Sequence, residues 1–192
     1  MTNDAATVPA PVSTAVPMAR LGMWVFLAGE IIIFGGLITI YVLMRLAHPE
    51  WAEHAAHTMS YVGAVNTMAL LTSSYTVVLA HQAADAGNHK NAARYLTYTV
   101  ILGFLFLGVK SYEYSHELHA GYGPTTNLFW SFYYLMTSLH GLHVVGGMIA
   151  IAIIAKSARK GQGLHRVGPV GLYWHLVDVV WIFLFPLLYL AA

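Results

Sequence analysis

Tyr173-Trp174-His175-Leu176-Val177-Asp178-Val179-Val180-Trp181 places an ionisable pair inside a segment that is long and apolar enough to cross a bilayer. A carboxylate in hydrocarbon loses its water, so Asp178 must be protonated, paired or turned toward protein. His175, three residues earlier, is the nearest candidate partner on the same helix face. An earlier stretch, Trp24-Val25-Phe26-Leu27-Ala28-Gly29-Glu30-Ile31-Ile32-Ile33-Phe34, repeats the arrangement with Glu30. Both stretches read as apolar helices that carry a few buried polar groups.

Composition supports that frame, because 58% of the 192 residues are hydrophobic and only 9% are charged. A soluble domain carries roughly a quarter charged residues. The expectation is an all-α, polytopic membrane bundle. A net charge of +1 gives no basic surface for nucleic acid, and the absence of cysteine removes disulfides, thiolate metal sites and thiol nucleophiles. No phosphate loop, zinc-protease helix or nucleophile elbow occurs, so no catalytic residue is assigned.

Five spans are expected. Arg20 and Arg45 bracket 24 residues with one charge, Glu30, and a spanning helix needs about 20 apolar residues. The second span runs from about Ser60 to Ala80, the third from Tyr95 to about Glu117, the fourth from Asn127 to Ala155 and the fifth from about Gly168 to Leu190, where Pro186 predicts a kink. Residues 1–19 read as a flexible tail and 20–192 as one membrane domain. His48 to His57 reads as an acidic, His-rich loop, with Trp51 suited to the membrane interface. An odd number of spans puts the termini on opposite sides. Arg20, Lys90, Arg94, Lys156, Arg159, Lys160 and Arg166 fall on the N-terminal side, against Arg45 alone on the other. The excess predicts a cytoplasmic N-terminus and an extracytoplasmic C-terminus.

Within the spans, Asn66 and Ser73, like Thr67 and Ser74, are seven apart and should share a side that faces other helices. Lys110 and Glu113, three apart, can pair near a helix end, where Lys can also snorkel toward headgroups. His140 and His143 share a face by spacing, open either to metal ligation or to interhelical hydrogen bonding. His116 and His119 with Glu117, and His48, His54 and His57 with Glu50 and Glu53, could bind zinc at an aqueous surface or be solvated loops. Phe129-Trp130-Ser131-Phe132-Tyr133-Tyr134 reads as an interfacial aromatic belt. Gly35-Gly36 and Gly146-Gly147 suit close helix packing. Glu30, about 15 Å in from Arg20 along a helix rising ~1.5 Å per residue, sits near the middle of a ~30 Å core. Its own span offers no cation, so a neutral acid that donates a hydrogen bond is expected, with either a proton- or lipid-linked role or a purely structural one.

In order, these stretches resemble subunit III of the haem-copper respiratory oxidases from about Leu21 to Leu190. The resemblance rests on Trp24 to Phe34 with Glu30, on Asn66-Thr67 through Leu71-Thr72-Ser73-Ser74, and on Gly108-Val109-Lys110-Ser111-Tyr112-Glu113-Tyr114, where Lys110 replaces a commonly uncharged polar residue. It continues through Thr137-Ser138-Leu139-His140-Gly141-Leu142-His143-Val144 and the closing Tyr173 to Trp181. Longer members of the family have seven helices; this chain matches the last five, as do many bacterial subunits III. The resemblance implies a bacterial cytoplasmic membrane protein without haem, copper or other metal of its own, those groups residing in partner subunits I and II. It implies an accessory role: packing on subunit I, supporting sustained proton uptake during oxygen reduction, and protecting the catalytic site from turnover-linked inactivation. A bound phospholipid fits the resemblance, although a lipid near Glu30 would need another wall than the family's first two helices. Subunit III of a quinol oxidase, an accessory subunit of a nitric oxide reductase, and a freestanding proton or solute transporter are the alternatives. The last lacks the internal repeat and broken helices expected of it.

Overall fold

A computed structural model describes residues 18–190, with side chains from Leu21; the segment read as a flexible tail lies largely outside the described residues. The elements are α1 (Met18–Ala47), α2 (Trp51–Ala56), α3 (Ser60–Asp85), α4 (His89–His119), α5 (Leu128–Arg159) and α6 (Val167–Phe185). A 3-10 turn (Leu164–Arg166) leads into α6, and a π turn (Pro186–Leu190) extends it. The five long segments are each long and apolar enough to cross a membrane. The chain is therefore a multi-pass membrane bundle of five spans, as its hydropathy predicted.

Two of the span ends follow from side-chain caps. Asn88 accepts from the Asn91 N–H at 3.0 Å and Asn127 from the Trp130 N–H at 3.0 Å, each taking up an otherwise orphan donor at a helix start. Gly87, Gly121, Gly161 and Gly163 all adopt positive φ in the tight connections. The helices overrun the apolar stretches by a turn or more, so α4 reaches back to His89 and α5 runs on to Arg159. Charged residues at the membrane faces are helical, where hydropathy alone ends the span.

Three expectations are corrected here. His48 to His57 is not a plain loop, since residues 51–56 form a short helix. Trp51 is 3% exposed and packs on Tyr41, Phe129 and Phe132 instead of facing the interface. The aromatic run that opens α5 is likewise internal: Phe129, Trp130 and Tyr133 are fully buried. At Pro186 the helix widens into a π turn; proline has no N–H to bond back to residue 182, and a π turn is one way a helix absorbs such a break.

α3 and α6 are stitched by two indoles. Trp174 Nε1 donates to Ser73 Oγ at 2.9 Å and Trp181 Nε1 donates to Thr67 Oγ1 at 3.0 Å. Each hydroxyl also donates to a carbonyl of its own helix, Leu70 or Gly63, so every proton is used. This bears out the expectation that the Thr67 and Ser73 side of the second span faces protein. α1 is the outlier, because most of its apolar side chains, Val25, Ile32 and Leu46 among them, are uncovered by the rest of the chain.

Candidate functional site

Glu30 projects from α1 at mid-span toward α5, where its Oε2 lies 2.9 Å from His143 Nε2. The hydrogen-bond partner that its own span does not offer comes from another helix, 113 residues away. The hydrogen-bond geometry fixes how many protons the pair shares. His143 Nδ1 lies 2.8 Å from the Leu139 carbonyl, which can only accept, so Nδ1 carries a hydrogen. Either the Glu30 acid donates to a neutral Nε2, or an imidazolium donates to the carboxylate; one shared proton satisfies both groups in each case. Phe34 packs edge-on against the imidazole at 5.1 Å, and Tyr173 OH donates to the His143 carbonyl at 3.0 Å. The Glu30 and His143 side chains are 12% and 19% exposed, so the pair is largely but not wholly shielded.

His140 does not join it. One turn earlier on α5, His140 is fully buried against Phe106 and Trp181, with neither ring nitrogen hydrogen-bonded. The shared face read from the i, i+3 spacing therefore splits between two neighbours, His140 against Phe106 and Trp181 and His143 against Glu30. No group of three or more metal-ligating side chains is assembled among the described residues.

A second polar cluster lies toward the other ends of α4 and α6. Lys110 Nζ donates to Glu113 Oε2 at 3.1 Å, to Tyr133 OH at 2.9 Å and to Tyr189 OH. Tyr133 in turn donates to Glu113 Oε1 at 2.6 Å. All three ammonium protons are thus satisfied, and the rings of Tyr114 and Tyr133 face the cation at 4.8 and 4.5 Å. The Lys110–Glu113 pair stands as expected, but the snorkelling does not: Lys110 is 5% exposed and points inward, because partners from α5 and the π turn meet it there. Glu117, one turn on, is buried with Oε1 unpartnered.

Asp178 and His175 do not pair. His175 Nδ1 lies 2.6 Å from Ser74 Oγ, and its ring borders a cavity of about 1020 Å³ beside the α3 C-terminus. Asp178 is 3% exposed and neither oxygen has a hydrogen-bond partner. Asn66 is fully buried in the same unpartnered state. In the connection after α1, His48 Nδ1 lies 2.8 Å from Glu50 Oε1. The Glu50 backbone N–H and this imidazole hold the Glu50 carboxyl below its ordinary range. His54 meets Asn127 and His57 stacks on Tyr122, so these imidazoles serve separate local contacts.

The sequence reading missed the residues that complete each site: Tyr133 and Tyr189 around Lys110, and Trp174 and Trp181 against Ser73 and Thr67. The two tryptophans carried a signal, being seven apart like the hydroxyl pairs on α3.

Residues 10–192 match the model of the family Cytochrome c oxidase subunit III. The chain is 37% identical over 177 residues to cytochrome c oxidase subunit 3 of Thermostichus vulcanus, covering 90% of this chain and 87% of that one. It is 33% identical over 180 residues to cytochrome c oxidase subunit 3 of Bacillus subtilis, covering 90% and 86%. A probable quinol oxidase subunit 3 of Staphylococcus saprophyticus is also 33% identical over 180 residues, covering 90% and 89%.

Proposed function

Since the chain belongs to the cytochrome c oxidase subunit III family, we propose that it acts as the accessory, cofactor-free subunit of an oxygen-reducing haem-copper oxidase. Haem and copper reside in the partner subunits I and II, and this chain packs on subunit I. It supports complex stability and sustained proton uptake without performing catalysis. The observation that carries this reading is the placement of Glu30. An ionisable group at mid-membrane is shielded by a single imidazole, on a helix whose outer apolar face the chain itself leaves uncovered. In the proposed orientation the N-terminus and the α3–α4 and α5–α6 connections are cytoplasmic. The membrane domain spans 20–192.

The staphylococcal relatives favour a second reading of the electron donor, with quinol in place of cytochrome c. This chain would be subunit III in both. The test is purification of the tagged chain from its own membranes in mild detergent. Haem-bearing partners should come with it, and the donor that restores turnover names the complex. A chain that purifies alone at full yield would leave the transporter reading standing.

A further inference from the structure

At the end of the bundle where α3 finishes, the cavity of about 1020 Å³ runs inward between α3 and α6, from an exposed rim of His81, Asp85, His165 and Arg166 to the half-buried His175. Its lining follows α3 from Asp85 back to Val77, roughly 12 Å of helix at ~1.5 Å per residue. A hollow of that size with a polar rim holds water. The titratable groups ahead of His175 are those of the rim, His165 and His81, whose Nδ1 lies 3.0 Å from Asp85 Oδ2. At the inner end, His175 Nδ1 lies 2.6 Å from Ser74 Oγ. Thr67, Thr72, Ser73 and Thr76 each donate to a carbonyl of their own helix, and Ser74 makes no such bond. Its proton is therefore free to point toward His175 or away from it. On the other side stands Asp178, whose carboxyl Ser74 approaches across the α3–α6 seam without bonding it.

Asp178 lies roughly 16 Å along α6 from Val167, near the middle of a ~30 Å core. No charged group of a neighbouring helix acts on it among the described residues. A carboxylate so placed is costly, so the group rests as the acid. One turn further on, Trp181 is fully buried and its indole N–H is taken by Thr67, which closes the far side. The route has one open end. We propose that Asp178 is a proton-binding site served from the water of this cavity, with His175 and Ser74 as its relay. To load the carboxylate, His175 Nε2 takes a proton from cavity water, the Nδ1 proton passes to Ser74 Oγ, and the Ser74 hydroxyl proton passes to Asp178. The imidazole ends neutral with its hydrogen on Nε2, and unloading runs the same steps in reverse. The site uses neither Glu30 nor His143 and needs no group from a partner subunit. In the proposed orientation the cavity opens on the cytoplasmic side.

The test is infrared difference spectroscopy of the intact complex in mild detergent, reading the C=O stretch of a protonated carboxyl group and its shift on transfer to heavy water. Wild type minus Asp178→Asn should show one such band, and the band should shift completely within minutes of the transfer. Ser74→Ala cuts the relay, and Val78→Trp fills the cavity from an exposed lining position. Both should keep the band and slow its shift at least tenfold. Copurification of haem-bearing partners with each variant reads the accessory assignment separately. Absence of the band from the wild-type difference spectrum would overturn the proposal. So would a wild-type band that stays unshifted for hours, the mark of a sealed structural acid. A shift as fast as wild type in either Ser74→Ala or Val78→Trp would equally overturn it, since the proton would then reach Asp178 by another path.

Discussion

Glu30 and His143 share one proton, and that decides which replacements each tolerates. Gln at position 30 can donate its amide N–H to a neutral Nε2, or accept from an imidazolium through its carbonyl, so Glu30→Gln should leave the subunit as firmly folded as the wild type. Glu30→Ala removes the partner of a largely buried imidazole and should cost about 1–3 kcal/mol, seen as a lower unfolding temperature or a looser subunit. At Lys110 the stakes are higher, because the ammonium and Glu113 are both fully enclosed. Lys110→Met leaves a buried carboxylate without its cation and should destabilise by about 3–5 kcal/mol, while Lys110→Met/Glu113→Gln should recover most of the loss. Thermal unfolding of the two variants in detergent checks the difference; a double variant no better than the single would contradict the ion-pair account. The residue types at these sites were legible in the sequence, and their partners mostly were not. Spacing rules relate residues on one helix, so they found Lys110 with Glu113. They wrongly joined His175 to Asp178, and they had no means of bringing His143 to Glu30 or Tyr189 to Lys110.

At the scale of elements, α6 is held by contacts with little slack. A Cβ added at Gly147 of α5 would lie 2.8 Å from the Trp174 ring, and that indole is pinned to Ser73. Gly147→Ala should therefore destabilise by about 1–3 kcal/mol. Gly36→Ala on α1 meets nothing within 4 Å in this chain and should change the stability of the isolated chain by no more than about 0.5 kcal/mol. Comparing the two unfolding midpoints tests which glycine pair fulfils the packing expectation. Gly147 does so within the chain, and Gly35-Gly36 do not. Hydropathy found every spanning helix because an apolar run of this length has few other uses. It misplaced several of their ends, the start of α4 at His89 among them, because the cap Asn88 lies in polar sequence. It also misread the α5 aromatics, since an interfacial belt and a packed internal cluster have the same composition.

For the molecule as a whole, the cationic residues gather at one end of the bundle, where the Arg159 guanidinium at the close of α5 bonds Thr97 near the start of α4. Reporter fusions at Ala120 and Gly161 should therefore report opposite sides, with Gly161 cytoplasmic. An extracytoplasmic Gly161 would reverse the orientation. Family membership was readable from the ordered motifs, whereas the depth and pairing of the polar clusters needed the packed helices. The central claim is that this chain sustains a reaction it does not perform. It is tested most directly by following oxygen consumption by the purified complex carrying Glu30→Ala, with the initial rate and the decay of activity recorded in one progress curve. The account predicts an initial rate close to wild type and a shorter active lifetime. An immediate loss of turnover in a complex that keeps this subunit and all its haems would put Glu30 in the proton-delivery path itself and contradict the accessory role.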